Sequence, residues 1–244
     1  MHFEWNEKTM GWMLDAAEYT GFYRKLAALL LPEIRVRGSL CDMGCGMALA
    51  DMALAADIGC ITCVDVNRPA LSFAQNEARR RGIGNLEFML SDGASVAGRW
   101  DTVIALFHGR MEKTCAAYLG KASDRLICVT HGPGVRHAGA FCENADAAAA
   151  WLDSGGWTYT RTDGVLEFGQ PHRSMTDAME STAAFHREWD RAALETRVRE
   201  SVQETGREDF PFYTPKTRSF GLFVIPRAGN EQHLKKRKIF AGGL

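Results

Sequence analysis

The sequence predicts an α/β protein with a parallel β-sheet and crossover helices. From residue 38 onwards, short apolar segments alternate with helix-like segments of the length that βαβ units require. The first apolar segment, Leu40–Met43, leads into a turn with Gly44 and Gly46 and then into an alanine-rich segment. Glycine at such a turn permits a tight bend and a close approach of the backbone to a ligand.

The remaining elements follow from local patterns. Further strands are predicted at Ile61–Val66, Asn85–Leu90, Asp101–Phe107, Arg125–Thr130 and Lys216–Ile225. Helices are predicted at Met47–Ala56, from Pro69 to the glycine at 82 with Asn67 as the cap, at Met111–Leu119 and at Asp146–Leu152. Asp163-Gly164 lies within a β-rich stretch and fits either a two-residue hairpin or a kink in one long strand.

Two helical regions lie outside this alternation. Residues 5–31 have helical periodicity that Gly21 breaks into two helices, and residues 174–205 are predicted to be helical with a break near Asp190. We expect both regions to pack on the sheet as a cover, and the aromatic side chain of Trp12 is a candidate contact to the substrate.

We expect a single domain of four segments. They are an N-terminal helical cover (1–37), a ligand-binding half (38–134), a C-terminal half that carries the inserted helices (135–226) and a tail (227–244).

Composition excludes several classes of protein. The net charge is −1, which gives no basic field for nucleic acid, and the run at 235–238 is interpreted as a solvated tail. No leader pattern and no apolar run of membrane-spanning length is present, so we expect a cytoplasmic protein without a membrane role. The cysteine spacing indicates neither a disulfide framework nor a metal site. His172 and His186 are interpreted as residues on the surface of the inserted helices.

Acidic residues follow three successive strands. Asp42 precedes the glycine turn, Asp65 ends the second strand about 20 residues later, and Asp92 follows the third. Parallel strands place their carboxyl ends at one edge of the sheet, where ligands bind. Asp65 is suited to accept hydrogen bonds from ribose hydroxyls, and Asp92 from an exocyclic amine such as that of adenine. Asp42 disfavours a pyrophosphate at the turn and favours a cationic group.

The segment Asp42-Met43-Gly44-Cys45-Gly46, with Asp65 and Asp92, resembles the first three motifs of the class I S-adenosylmethionine (SAM)-dependent methyltransferases. The resemblance covers residues 40–130 well and the remainder more loosely. It implies a Rossmann-like, doubly wound, mostly parallel sheet of seven strands with an antiparallel last strand, a role for which Lys216–Ile225 is suitably placed. It also implies SAM as the cofactor. The cofactor-binding residues would be Asp42, Gly44, Cys45, Gly46, Asp65, Val66, Asp92 and Gly93.

The methyl acceptor is harder to predict. Phe107-His108-Gly109-Arg110 stands where families that methylate nitrogens of proteins and nucleic acids often have a proline-proline-aromatic motif, which argues against those substrates. His108 and His131 lie at strand ends and are candidate general bases, because histidine titrates near neutral pH. Arg110 is a candidate partner for a carboxylate substrate.

The sequence therefore predicts an enzyme that transfers a methyl group in line from SAM to a small molecule. One alternative is an NAD-dependent oxidoreductase, although Leu49 replaces the third glycine that such a loop requires. The other alternative is a catalytically silent nucleotide-binding regulatory module. The sequence leaves open whether the chain is a monomer or a homodimer.

Overall fold

A computed structural model describes residues 5–134, 143–186 and 188–234. By their internal contacts, the chain divides into two units, which are described separately. The larger comprises Leu26–Val165 and Ser219–Leu244, and the smaller comprises Met1–Lys25 and Leu166–Arg218. The basic run at 235–238 and the start of the predicted C-terminal half lie outside the described residues.

The larger unit contains the seven-stranded sheet. In chain order its strands are β1 (Ser39–Met43), β2 (Cys60–Asp65), β3 (Leu86–Leu90), β4 (Trp100–Leu106), β5 (Ala122–His131), β6 (Thr160–Glu167) and β10 (Thr217–Pro226). The spatial order is β3-β2-β1-β4-β5-β10-β6. The strands from β3 to β5 pair in parallel, and β10 pairs antiparallel with β5. The Rossmann-like prediction, including its antiparallel last strand, is confirmed.

The crossover helices begin and end where local chemistry dictates. They are α3 (Leu49–Leu54), α4 (Arg68–Arg80), α5 (Met111–Leu119) and α6 (Ala145–Ser154). The side chain of Asn67 caps α4 by accepting from the backbone N–H of Ala70, as predicted. Helix α3 is shorter than the predicted Met47–Ala56, because Ala48 is left-handed, with φ of 51°, and delays its start.

The hydrophobic core of the larger unit packs α5 and α6 against the sheet. Its fully buried side chains include Met43, Val103, Leu119, Leu126 and Phe223. The segment around Asp163-Gly164 is one continuous strand, β6, and the hairpin alternative is therefore wrong. No helix of the described residues is long and apolar enough to cross a membrane.

The smaller unit holds α1 (Glu7–Thr20), the start of α2 (Phe22–Leu30), α7 (Met175–Phe185) and α8 (Arg191–Ser201). Gly21 separates α1 from α2 in a left-handed conformation, with φ of 65°, as expected. The predicted break near Asp190 is present, because Asp190 caps α8. The second predicted cover region and the first one up to Lys25 thus belong to the smaller unit, whereas residues 26–31 belong to the larger unit. The single-domain organisation and the covering role stay predictions.

A second sheet in the smaller unit was not predicted. Strands β7 (Gln170–His172), β8 (Gln203–Glu204) and β9 (Phe212–Thr214) form it in the order β7-β9-β8, with antiparallel pairing. Tyr213 of β9 stacks on Tyr19 of α1 with ring centroids 4.9 Å apart. The helical prediction to residue 205 is therefore wrong at its end, where β8 replaces helix.

Candidate cofactor-binding site

The glycine turn after β1 is fixed onto strand β2. Gly44 and Gly46 have left-handed backbones, with φ of 83° and 56°. The amides of Gly44 and Cys45 both donate to the carbonyl of Val64, at 2.7 and 3.1 Å. The amide of Gly46 donates to Asp65 Oδ2 at 2.8 Å. The turn and the acid that ends β2 are thus one structural group.

The two carboxylate oxygens of Asp65 accept hydrogen bonds from two different connections, the glycine turn and the β2–α4 connection. Its Oδ1 accepts from the amide of Asn67 at 2.8 Å, while Oδ2 holds the turn. Each carboxylate oxygen has a further lone pair, so Asp65 retains capacity to accept from a ligand. The next residue, Val66, is 71% exposed, so its apolar side chain is accessible to a ligand.

Asp92 and Gly93 follow strand β3. Asp92 is exposed, and its Oδ1 accepts from the amide of Ala94 at 3.1 Å. Gly93 is buried, and a Cβ there would lie 2.9 Å from the hydroxyl of Tyr118 and 3.1 Å from Met43 Sδ. Packing therefore gives a reason for glycine at this position that does not involve a ligand.

Asp42 faces a second buried acid, Asp51 of helix α3. Their exposed fractions are 2% and 0%, and each carboxyl changes the pKa of the other. Burial raises the pKa of Asp42 well above its usual range, and the charges of Asp51 and Asp65 raise it further. Burial likewise raises the pKa of Asp51. Both carboxyls therefore favour the protonated form more than a solvent-exposed aspartate does.

His108 lies in the connection between β4 and α5, directly after the left-handed Phe107, which has φ of 53°. A Cβ on Gly44 would come within 2.4 Å of His108 Nδ1, so the ring lies against the glycine turn. Nε2 is 3.3 Å from the hydroxyl of Tyr118. Although the side chain retains exposed surface, desolvation by the surrounding protein lowers the pKa of His108, and the negative charge of Asp65 opposes this.

His131 and Arg110 lie at the ends of neighbouring strands. The ring of His131, at the end of β5, has its centroid 5.4 Å from that of Phe107. Arg110 is exposed at the start of α5. The amide of Met111, the residue after Arg110, donates a hydrogen bond to the carboxyl of Glu143. Burial raises the pKa of Glu143, and the positive charge of Arg110 opposes this rise.

Trp12 belongs to the smaller unit, where its indole Nε1 donates to Asp177 Oδ1 at 2.7 Å. The surface interpretation of His172 is wrong. It lies in β7, is 1% exposed, and its Nε2 is 2.8 Å from Thr214 Oγ1. His186 lies at the end of α7 with its ring stacked on Trp189, with centroids 4.0 Å apart.

In the larger unit Asp65 holds the glycine turn, and His108 lies against Gly44. The charges of Asp65 and Asp92 both act on His108. Sequence reasoning missed Asp51, Tyr118 and Glu143. Asp51 had a signal, because it is a lone acid within the otherwise apolar segment Met47–Leu54. Among the residues that the structure describes, no cluster of histidine, cysteine, aspartate and glutamate fits a metal ion.

Known structures share this fold. The crystal structure of magnesium protoporphyrin IX methyltransferase from Synechocystis with bound SAM is similar to this chain. The TM-score is 0.51 and the sequence identity is 18%, over 85% of this chain and 79% of that one. Its complex with SAH, at 17% identity, gives a TM-score of 0.52 over 85% of this chain and 83% of that one.

Two further structures are comparable. The YcgJ protein from Bacillus subtilis has a TM-score of 0.54 and 13% identity over 83% of this chain and 98% of that one. Geranyl diphosphate methyltransferase in complex with GPP and sinefungin has a TM-score of 0.51 and 12% identity, over 84% of this chain and 77% of that one. No protein-family model matches the sequence. The chain therefore has the Rossmann-like fold on which SAM-dependent methyltransferases of class I are built.

Proposed function

We propose that this chain is a SAM-dependent methyltransferase that acts on a small molecule. The single observation that carries the proposal is the bond from Gly46 N–H to Asp65 Oδ2, which joins the glycine turn to the acid at the end of β2. The fold adds support, because similar structures bind SAM, SAH or sinefungin. Two of those proteins are named for small acceptors, magnesium protoporphyrin IX and geranyl diphosphate.

The described residues fit the chemistry of this cofactor. The carboxylates of Asp65 and Asp92 accept hydrogen bonds from hydroxyl and amino groups such as those of ribose and adenine. The exposed side chain of Val66 offers an apolar contact beside them. The backbone at Gly44 and Gly46 allows a ligand to approach closely. The carboxylates of Asp65 and Asp92 also suit a ligand with a cationic group.

In this proposal the bound cofactor supplies an electrophilic methyl group on a sulfonium. The protein holds the acceptor in line with that methyl group and excludes water, which is where most of the rate enhancement arises. His108 is the general base. Because its lowered pKa leaves the imidazole neutral at neutral pH, a ring nitrogen is free to take the acceptor's proton. The nearby hydroxyl of Tyr118 helps to orient the ring.

The acceptor side of the site is proposed to include His131 and Arg110. The exposed guanidinium of Arg110 suits an anionic group on the acceptor. The contact of Trp12 with the acceptor, the cytoplasmic location and the choice between monomer and homodimer stay predictions. Neither alternative function gains support. For the NAD-dependent oxidoreductase the obstacle is Leu49, which stands at the position of the third glycine of an NAD loop and is the buried first residue of α3.

Titration calorimetry with SAM, SAH and NADH tests the proposal. We expect SAM and SAH to bind and NADH not to bind. Asp65→Asn should weaken SAM binding about tenfold to a hundredfold, because it removes charge-assisted hydrogen bonds. Asp57→Asn is the matched control, since Asp57 is exposed and pairs with Arg37. If neither SAM nor SAH binds, the proposal is wrong.

Turnover is tested separately with labelled SAM and a panel of small acceptors that differ in charge. Transfer to at least one of them is expected, and the pH profile should show a group that must be deprotonated. His108→Asn should lower kcat without a comparable change in SAM affinity. Binding of SAM without transfer to any acceptor would favour the regulatory module instead.

A further inference from the structure

Asp42 and Asp51 are two buried acids that lie on either side of the glycine turn in the chain. Asp42 is on β1, two residues before Gly44, and Asp51 is in α3, which follows the turn. Three oxygens of the pair are buried without a hydrogen-bond partner among the described residues, namely Asp42 Oδ1 and both carboxyl oxygens of Asp51. A proton on one carboxyl allows it to donate a hydrogen bond to the other. Buried polar atoms in native proteins are rarely left so.

The groups around the pair do not supply a neutralising cation. Asp65 acts on Asp42 with further negative charge, and the thiol of Cys63, a weak donor, faces Asp51. The titratable groups of the surrounding elements are Cys41 on β1, Cys45 in the turn, Cys63 and Asp65 on β2, His108 against Gly44, Tyr118 on α5 and, acting on Cys41, Lys121. Desolvation lowers the pKa of His108, which keeps its ring neutral at neutral pH.

Two ionised carboxylates in such a place would be very unfavourable, because neither water nor a cation compensates their charge. One proton held between them satisfies an oxygen on each side and halves the charge. A second proton removes the remaining charge, which burial favours as long as no positive charge is near. The pair is therefore poised between a neutral form and a form with one negative charge.

We propose that Asp42 and Asp51 always keep one shared proton and that they release a second proton when the positively charged cofactor binds in the adjoining turn. This inference rests on the proposed function. In the step, one carboxyl O–H bond breaks, the pair gains one negative charge, and the proton passes to the solvent. Asp51 is then a positioning residue, which acts on the cofactor through Asp42 and the turn.

The consequence is a linkage between cofactor affinity and pH. Because binding releases a proton, the affinity for SAM rises with pH, by at most tenfold per pH unit for one proton. The effect is confined to mildly acidic and neutral pH, where the neutral form of the pair is populated. An α-amino group such as that of SAM stays protonated below a pH of about 7 and does not contribute there.

Calorimetric titration of the full chain with SAM, in buffers of different ionisation enthalpy, counts the released protons. We expect net release in the wild type and a smaller release with SAH, which lacks the sulfonium charge. In Asp51→Asn the amide donates to Asp42 and keeps it ionised, so release should disappear while SAM still binds. Asp57→Asn is the control and should release as the wild type does.

Infrared difference spectra of the wild type give a second test that needs no variant. The band of a protonated carboxyl should weaken when SAM binds. SAM binding with no proton release and no change in this band overturns the inference, and so does a release that Asp51→Asn leaves unchanged. Failure of SAM to bind at all is a different result, which contradicts the proposed function itself.

Discussion

The imidazole of His108 lies so close to Gly44 that a Cβ at position 44 would come within 2.3 Å of the ring Cγ. The absence of a side chain at the glycine turn therefore makes room for a residue of the β4–α5 connection. Gly44 has two separate reasons to be glycine, because its backbone is also left-handed, with φ of 83°. The two reasons can be separated by substitution.

Gly44→Ala should cost about 3 kcal/mol of unfolding free energy. About 1 kcal/mol comes from a Cβ in the left-handed region, and the rest comes from displacing His108 or the turn. Gly82→Ala is the matched control, because Gly82 has φ of 70° and nothing within 4 Å of its Cβ position. That variant should lose only about 1 kcal/mol. Urea unfolding measures both, and equal losses would show that His108 moves aside freely.

Gly93 and Tyr118 should be energetically coupled. A Cβ at Gly93 would lie 2.9 Å from the Tyr118 hydroxyl, so Gly93→Ala should destabilise the protein. Tyr118→Phe removes that oxygen, and the double variant should be more stable than the sum of the single effects by roughly 0.5–1 kcal/mol. Gly84→Ala, which meets nothing within 4 Å, is the control for glycine replacement. Strictly additive losses would argue against this packing explanation.

The larger sheet was predictable because its strands carry strong local signals. β1, β2, β4 and β5 are apolar segments, and Asn67 and Gly21 mark helix boundaries by their own chemistry. The small sheet was not predictable, since β7, β8 and β9 have three, two and three residues, too few for a period to be read. His172 was misjudged for this reason.

The acids of the candidate site were predictable because parallel strands end at one edge of the sheet. The residues that complete it depend on tertiary contacts. Asp51 lies in α3, which begins after the left-handed Ala48, and the hydroxyl of Tyr118 in α5 lies 3.3 Å from His108 Nε2. Neither contact has a fixed spacing in the sequence.

Glu77 should stabilise the fold against acid. Its carboxyl accepts hydrogen bonds from Arg80 Nε at 2.8 Å and from Arg81 Nε at 2.6 Å. These bonds lower the pKa of Glu77 from 4.5 to about 2, and the contribution of Arg80 is larger than that of Arg81. Because the pKa is lower in the folded state, Glu77 contributes stability that is fully present above pH 4.5 and is lost as the pH falls towards 2.

Glu77→Gln should therefore be less stable by roughly 0.5–1 kcal/mol at neutral pH and should lose less stability on acidification. Thermal unfolding at several pH values measures both effects. Glu200→Gln, on the exposed face of α8, is the control and should follow the wild type. An acid dependence that Glu77→Gln leaves unchanged would contradict the assignment.

Asp42 and Asp51 should have the opposite effect on stability. Burial raises the pKa of both above the ordinary 3.8, so the folded protein binds more protons than the unfolded chain once the pH exceeds that value. The unfolding free energy therefore falls as the pH rises from about 4 towards the raised pKa of the pair. Asp51→Asn should flatten this decline in the cofactor-free protein, whereas Asp57→Asn, at an exposed site, should not. Denaturant unfolding from mildly acidic to mildly alkaline pH measures the slopes, and equal slopes in the wild type and Asp51→Asn would mean that the pair holds no extra proton.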